Sequence, residues 1–138
     1  MYGKFHHSVD NKGRIFVPSK LRDELGETFY VMPGTETCLN VYNRESWQAV
    51  QEKINAIPLS ARGDLRFFLS NICECTPDKQ GRFLLPAELR DYAELGQEVT
   101  FLGQGDHAEI WASDKYRSDE EKKLSPAYMR SVMEALNI

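Results

Sequence analysis

The chain has 138 residues, of which 41% are hydrophobic and 28% charged, with a net charge of −4 and three cysteines. That length suits one ordinary domain or two small intertwined ones. No apolar run approaches the roughly 18 residues of a membrane helix, and the opening Met1-Tyr2-Gly3-Lys4-Phe5-His6-His7 lacks the apolar stretch of a signal peptide; with an odd cysteine count that speaks against a disulfide scaffold, the composition predicts a cytoplasmic protein with no membrane partner.

The charge is uneven. Residues 1–22 carry Lys4, Lys12, Arg14, Lys20 and Arg22 against Asp10 alone, a net +4 that leaves −8 for residues 23–138. Screening confines such effects to about 8 Å at physiological salt, so the local excess matters more than the total.

In chain order, Asp10-Asn11-Lys12-Gly13-Arg14 reads as a turn between two short strands. Asp hydrogen-bonds amides ahead of it, and Gly tolerates positive φ. Ile15-Phe16-Val17 is β-prone, and Pro18 suits the first position of a helix. Leu21 and Leu25 fall on one face of that helix, and Gly26 stops it. Strands near residues 28–32 and 38–42 follow, with Gly34 in the turn between them. Trp47, Val50, Ile54 and Ile57 recur at helical spacing, with Asn43 as cap and Pro58 as stop. A second helix is predicted over about 61–71, with Leu65, Phe68, Leu69 and Ile72 along one stripe.

The pattern then repeats. Aligned at a shift of 68, residues 10–23 and 78–91 are identical at seven of fourteen positions: Asp10/Asp78, Gly13/Gly81, Arg14/Arg82, Pro18/Pro86, Leu21/Leu89, Arg22/Arg90 and Asp23/Asp91. About one identity is expected by chance, so the chain is a duplication. The second copy runs from Asp78-Lys79-Gln80-Gly81-Arg82 through Phe83-Leu84-Leu85 and a short helix carrying Leu89, Tyr92 and Ala93, with Gly96 as its stop. Strands near 98–102 and 108–112 close it, with Gly103 and Gly105 between them. Ser125-Pro126 opens a last helix whose Met129, Val132, Met133 and Leu136 share a face; this stripe and Trp47 read as core or subunit interface.

A strand, an Asp-x-x-Gly-Arg turn, a strand, a proline, a short Leu-Arg helix and a glycine resemble the AbrB/SpoVT family of swapped-hairpin DNA-binding domains. Two such units in one chain, the Tyr2-Gly3 start and the Glu109-Ile110-Trp111 segment resemble more narrowly the MraZ family of bacterial transcriptional regulators. The resemblance covers about residues 1–118. It implies an α+β fold: a double-split β-barrel of AbrB-like type built from two tandem βαβ-type repeats with flanking helices. The boundaries would be 1–57 for the first repeat with its trailing helix, 58–71 for a helical linker, 72–124 for the second repeat and 125–138 for the C-terminal helix. It also implies a repressor of the division and cell-wall gene cluster including its own promoter, a nucleoid location, double-stranded DNA with short repeated promoter elements as partner, and a ring-like homo-oligomer.

The residues expected at DNA are Arg14, Lys12, Lys4, Lys20 and Arg22 in the first copy and Arg82, Lys79 and Arg90 in the second. An arginine beyond a tight turn presents its fork to phosphate or guanine, but it can equally pair with Asp10 or Asp78 and stiffen the turn, at about 0–1 kcal/mol for an exposed pair. The cationic surroundings of Arg14 favour contact. Around Arg82, Lys79, Arg82 and Arg90 are matched by Glu74, Asp78 and Glu88, so the first copy should dominate binding. Asp23 and Asp91 stand where AbrB-like domains can carry a basic residue, which weakens the case for Arg22 and Arg90. Asp10, Gly13, Asp78 and Gly81 are turn-forming residues. A neutral His7 adds little.

Cys73 and Cys75 sit on one face of a strand and read as core thiols; paired with His6 and His7 they lack the usual zinc spacing. No catalytic triad, phosphate loop or zinc-protease motif is present, so neither cofactor nor metal nor catalysis is expected. The competing reading is a protein-interaction or assembly module whose basic N-terminal face meets an acidic partner.

Overall fold

A computed structural model describes all residues, Met1–Ile138. Each copy contributes four strands and a short helix in the order strand, strand, helix, strand, strand. In the first these are β1 (Lys4–Ser8), β2 (Arg14–Phe16), α1 (Ser19–Leu25), β3 (Phe29–Pro33) and β4 (Leu39–Asn43). In the second they are β5 (Cys73–Cys75), β6 (Arg82–Leu84), α4 (Ala87–Tyr92), β7 (Glu98–Gly103) and β8 (Ala108–Ala112). Between the copies lie α2 (Arg44–Asn55), a 3₁₀ turn (Leu59–Leu65) and α3 (Arg66–Leu69); α5 (Ser113–Lys123) and α6 (Pro126–Leu136) follow the second.

The strands form a six-stranded sheet in the order β1-β7-β8-β4-β3-β5 and a separate ribbon, β2-β6, all antiparallel. That order is symmetric about the β8–β4 seam. The first strand of each copy leaves its own copy and pairs with the other: β1 lies on β7, and β5 lies on β3. The expected α+β class holds, with the strands divided between an open sheet and a ribbon rather than closed in one ladder.

One apolar core lies between sheet, ribbon and the two short helices. Ile15 and Phe83 from the ribbon, Leu21, Leu25 and Leu89 from α1 and α4, and Phe29, Val31, Val41, Val99, Phe101 and Ile110 from the sheet are all buried in it. Phe29 and Phe83 meet edge to face, 5.1 Å between centroids, so an aromatic pair also joins the copies.

Three local expectations change. The predicted 61–71 helix divides into the 3₁₀ turn and the four-residue α3, because Gly63 weakens its first turn and no side chain caps either start. Leu65, Phe68, Leu69 and Ile72 still form a half-buried stripe. The helix α4 ends before Gly96: Glu94 takes the left-handed conformation (φ 52°), with Leu95 N–H donating to Arg90 O and Glu94 N–H to Asp91 O, the paired bonds of a Schellman motif. Lys115 Nζ holds the Glu94 carboxylate at 2.7 Å. The apolar stripe of α6 is not core, since no residue of that helix is buried.

Candidate nucleic-acid interface

The two turns are built alike. Asp10 Oδ1 accepts from the amides of Lys12 and Arg14, each at 2.9 Å, and Asp10 Oδ2 accepts from Arg14 Nε at 2.7 Å. Asp78 repeats this with the amides of Gln80 and Arg82 and with Arg82 Nε, all at 2.9 Å. Both carboxyls are held below the ordinary aspartate value, chiefly by the backbone bond from the arginine amide, with its guanidinium and the second amide adding to it. Pairing and presentation are therefore compatible: Nε braces the turn, and the terminal nitrogens of Arg14 and Arg82 donate to no group of the chain.

The ribbon joins the turns. Arg14 stands opposite Leu84 and Phe16 opposite Arg82. Because strand side chains alternate, Ile15 and Phe83 face the core while Arg14, Phe16, Arg82 and Leu84 face outward. Leu84 is 62% exposed and Phe16 38%. These two apolar residues were missed as site candidates. Their signal was present, since each follows by one a core-facing residue beyond the turn.

The remaining arginines cross between copies. Arg22, on α1 of the first copy, donates from Nε to Val17 O and from Nη2 to Gln80 O, both at 3.2 Å, and so lies over the second turn. Arg90, on α4, donates to Leu85 O at 3.2 Å and lies over the first. Gly13 and Gly81 both have φ of 80°, and a Cβ on them would lie 2.9 Å from Arg90 Cζ and 2.5 Å from Arg22 Cζ respectively. Glycine is thus demanded twice at each turn, by backbone conformation and by the guanidinium laid on it. Val17 N–H also donates to Gly81 O and Leu85 N–H to Gly13 O, tying each turn to the opposite copy.

Each turn consequently carries three cations: Lys12, Arg14 and Arg90 at the first, Lys79, Arg82 and Arg22 at the second. The segment-by-segment charge tally does not describe this surface. Lys4 lies apart, bonded to Glu120 at 2.8 Å, and Lys20 is exposed on α1. The imidazole of His7 is kept below its ordinary pKa by burial, then by Arg22 and His6, so it is neutral at pH 7. Cys73 and Cys75 lie on one edge strand of the sheet and His6 and His7 on the other, and no three metal-ligating side chains gather anywhere. No helix is long and apolar enough to cross a membrane.

The family described as "MraZ protein, putative antitoxin-like" matches the chain twice, over residues 1–67 and 68–130. Among similar proteins, the "Transcriptional regulator MraZ" of Caldicellulosiruptor saccharolyticus is 42% identical over 142 residues, spanning 100% of this chain and 99% of that one. The protein of the same name from Heliobacterium modesticaldum is 43% identical, covering 91% of this chain and 90% of its own. That from Alkaliphilus metalliredigens is 39% identical, covering 99% and 98%. With both repeats matched and relatives aligned along nearly their whole length, this chain belongs to the MraZ family.

Proposed function

We propose that this protein is a sequence-specific DNA-binding transcriptional regulator, a repressor of the division and cell-wall gene cluster including its own promoter. The observation that carries the reading is the β2-β6 ribbon, with an outward face of two arginines and two apolar residues between two three-cation turns. A two-stranded ribbon fits the major groove. Arg14 and Arg82 offer paired donors to guanine or phosphate, and Phe16 and Leu84 suit thymine methyls. Lys12, Lys79, Arg22 and Arg90 stand where they can flank the duplex, Lys20 extends the cationic surface of the first copy, and Lys4, expected beside it, is engaged with Glu120 instead. The name shared by the relatives supports the regulatory role. In this reading sheet and ribbon correspond to the double-split barrel of the AbrB-like fold, and a DNA partner implies the cytoplasm and the nucleoid as its location.

A single ribbon reaches few base pairs, and affinities for non-specific DNA lie near 10⁻⁴–10⁻⁶ M. Self-association into a ring would present the ribbon repeatedly to short repeated promoter elements, multiplying affinity through effective concentration. The unpartnered stripe of α6, with Val132, Met133 and Leu136 exposed, supports such assembly.

Fluorescence anisotropy with selected genomic fragments tests the reading. Arg14→Ala should weaken binding about 5- to 150-fold, the worth of one bidentate arginine-to-base pair, while circular dichroism stays native. If all six turn cations reach phosphate, the slope of log Kd against log salt should be on the order of 5 per chain. Unchanged affinity in Arg14→Ala, or binding indifferent to salt, refutes the assignment.

A further inference from the structure

Cys73 and Cys75 are two residues apart on β5, so their side chains share a face. The Cys75 thiol points at Cys73 Sγ across 3.7 Å. Cys75 is 4% exposed, whereas Cys73 is half-buried and open to a small reagent. The third thiol, Cys38, belongs to a separate cluster with Trp111 and Tyr116, where burial pushes its pKa up to about 12. At the shift that relates the copies, Phe5 and His7 occupy the equivalent places on β1, so the thiol pair belongs to one copy alone.

The strand that carries the pair is built to deform. It is an edge of the six-stranded sheet and is held by three residue pairs to β3, where β1 is held by five to β7. In an extended strand, Cα atoms two residues apart are about 6.6 Å from one another, within the upper end of the roughly 4.4–6.8 Å that disulfides span. An edge strand with one neighbour can close that gap without tearing a central ladder.

We propose that Cys73 and Cys75 form a reversible intrastrand disulfide in the folded protein, and that closing it loosens the second turn, Asp78–Arg82. The oxidant is a low-molecular-weight disulfide. The more accessible Cys73, as thiolate, attacks one of its sulfurs and expels one thiolate, which leaves as a thiol after taking up the proton that Cys73 gave to solvent. Cys75 then loses its proton, attacks Cys73 Sγ in the mixed disulfide and expels the second thiol. Two protein thiols are oxidised and one small disulfide is reduced to two thiols. Burial raises the pKa of Cys75, with Cys73 adding to it, which assigns the first attack to Cys73. A bond near the outer limit of its geometry is readily reduced, which makes the step reversible.

The mechanical link is short. Thr76 follows β5 directly and meets Thr28 through their hydroxyls at 3.1 Å; Pro77 and Asp78 come next. Shortening the strand at Cys73–Cys75 draws on Thr76 and Pro77, and through them on the carboxylate that collects the amides of Gln80 and Arg82. The first turn has no such lever.

The test treats the native full-length chain with glutathione disulfide and follows peptide mass and amide hydrogen exchange. The peptide spanning both cysteines should lose about 2 Da and regain it with dithiothreitol. The amides of Gln80 and Arg82 should exchange about tenfold faster once it closes, while those of Lys12 and Arg14 stay unchanged. Cys73→Ser and Cys75→Ser should each abolish both effects. A peptide that stays reduced, or stops at a mixed disulfide with glutathione, overturns the proposal, as does a closed disulfide with unchanged protection at Gln80 and Arg82. The consequence for DNA rests on the functional reading above: oxidised protein should bind about fivefold more weakly, the loss of part of one turn's contacts, and equal binding overturns that consequence. Reduced protein that binds no DNA refutes the functional reading instead, and mass and exchange still decide the disulfide.

Discussion

Asp10 and Asp78 each collect two amides and one guanidinium, and this sets how acid acts on the molecule. Their carboxyls titrate below the unfolded value of about 3.9. The folded state therefore binds fewer protons than the unfolded one in that window. The stabilisation is complete above the unfolded pKa and is lost as pH falls through the folded pKa. Carboxyl titration by NMR should give midpoints for both residues below that of an exposed aspartate, and urea midpoints should fall from about pH 4 downward. Asp10→Asn and Asp78→Asn should each flatten that fall. His7 behaves differently: because its imidazole is already neutral at pH 7, His7→Gln should leave DNA affinity at that pH within about twofold, a difference below the worth of an ordinary hydrogen bond.

At the level of elements, the turns, the short helices and the hairpins β3-β4 and β7-β8 are legible in the sequence because each is fixed by neighbours in the chain. Asn43 accepts from the Ser46 amide at 2.8 Å and caps α2, and Trp47 is buried under it, stacked on Tyr30 at 4.8 Å. Ser125 caps α6 in the same way. What is not legible is reciprocal. Nothing near Gly81 in the chain announces that Arg22, some sixty residues earlier, will lie on it, and a charge tally by segment assigns Arg22 and Arg90 to the wrong turns. The same limit hid the end of α4, where Glu94 serves as the left-handed residue that a glycine usually supplies. A comparison of two glycines isolates the bracing. Gly26 and Gly81 have φ of 76° and 80°, but a Cβ on Gly26 meets nothing within 4 Å. Gly26→Ala should cost about 1–3 kcal/mol, the backbone penalty alone at φ 76° and ψ −168°, and Gly81→Ala should cost about 1–3 kcal/mol beyond its own backbone penalty, through displaced Arg22. In an Arg22→Ala background the excess should vanish, which a double-mutant cycle in urea unfolding measures.

For the whole molecule, α6 is the element whose apolar face has no partner within the chain. An isolated 11-residue helix is marginal in water, and this one exposes Val132, Met133 and Leu136, with Ile138 exposed just beyond its end. The self-association proposed above would cover that face, and the sequence could mark the stripe without saying which surface meets it. Met133→Asp should lower the mass seen by light scattering, by placing a charge in an apolar seam at a cost of several kcal/mol, and should weaken DNA binding only through lost repetition of the ribbon.

The strand exchange has a consequence for how the molecule is held together. Every ladder that crosses between copies, β1 on β7, β5 on β3, β4 on β8 and β2 on β6, is noncovalent, and the peptide chain joins the halves only through residues 44–72. A chain nicked at the exposed Leu59 should therefore remain one particle on gel filtration, yet its unfolding midpoint should rise with protein concentration more steeply than that of the intact chain. The covalent connection, in this light, is a tether that turns a meeting of two partners into a first-order event.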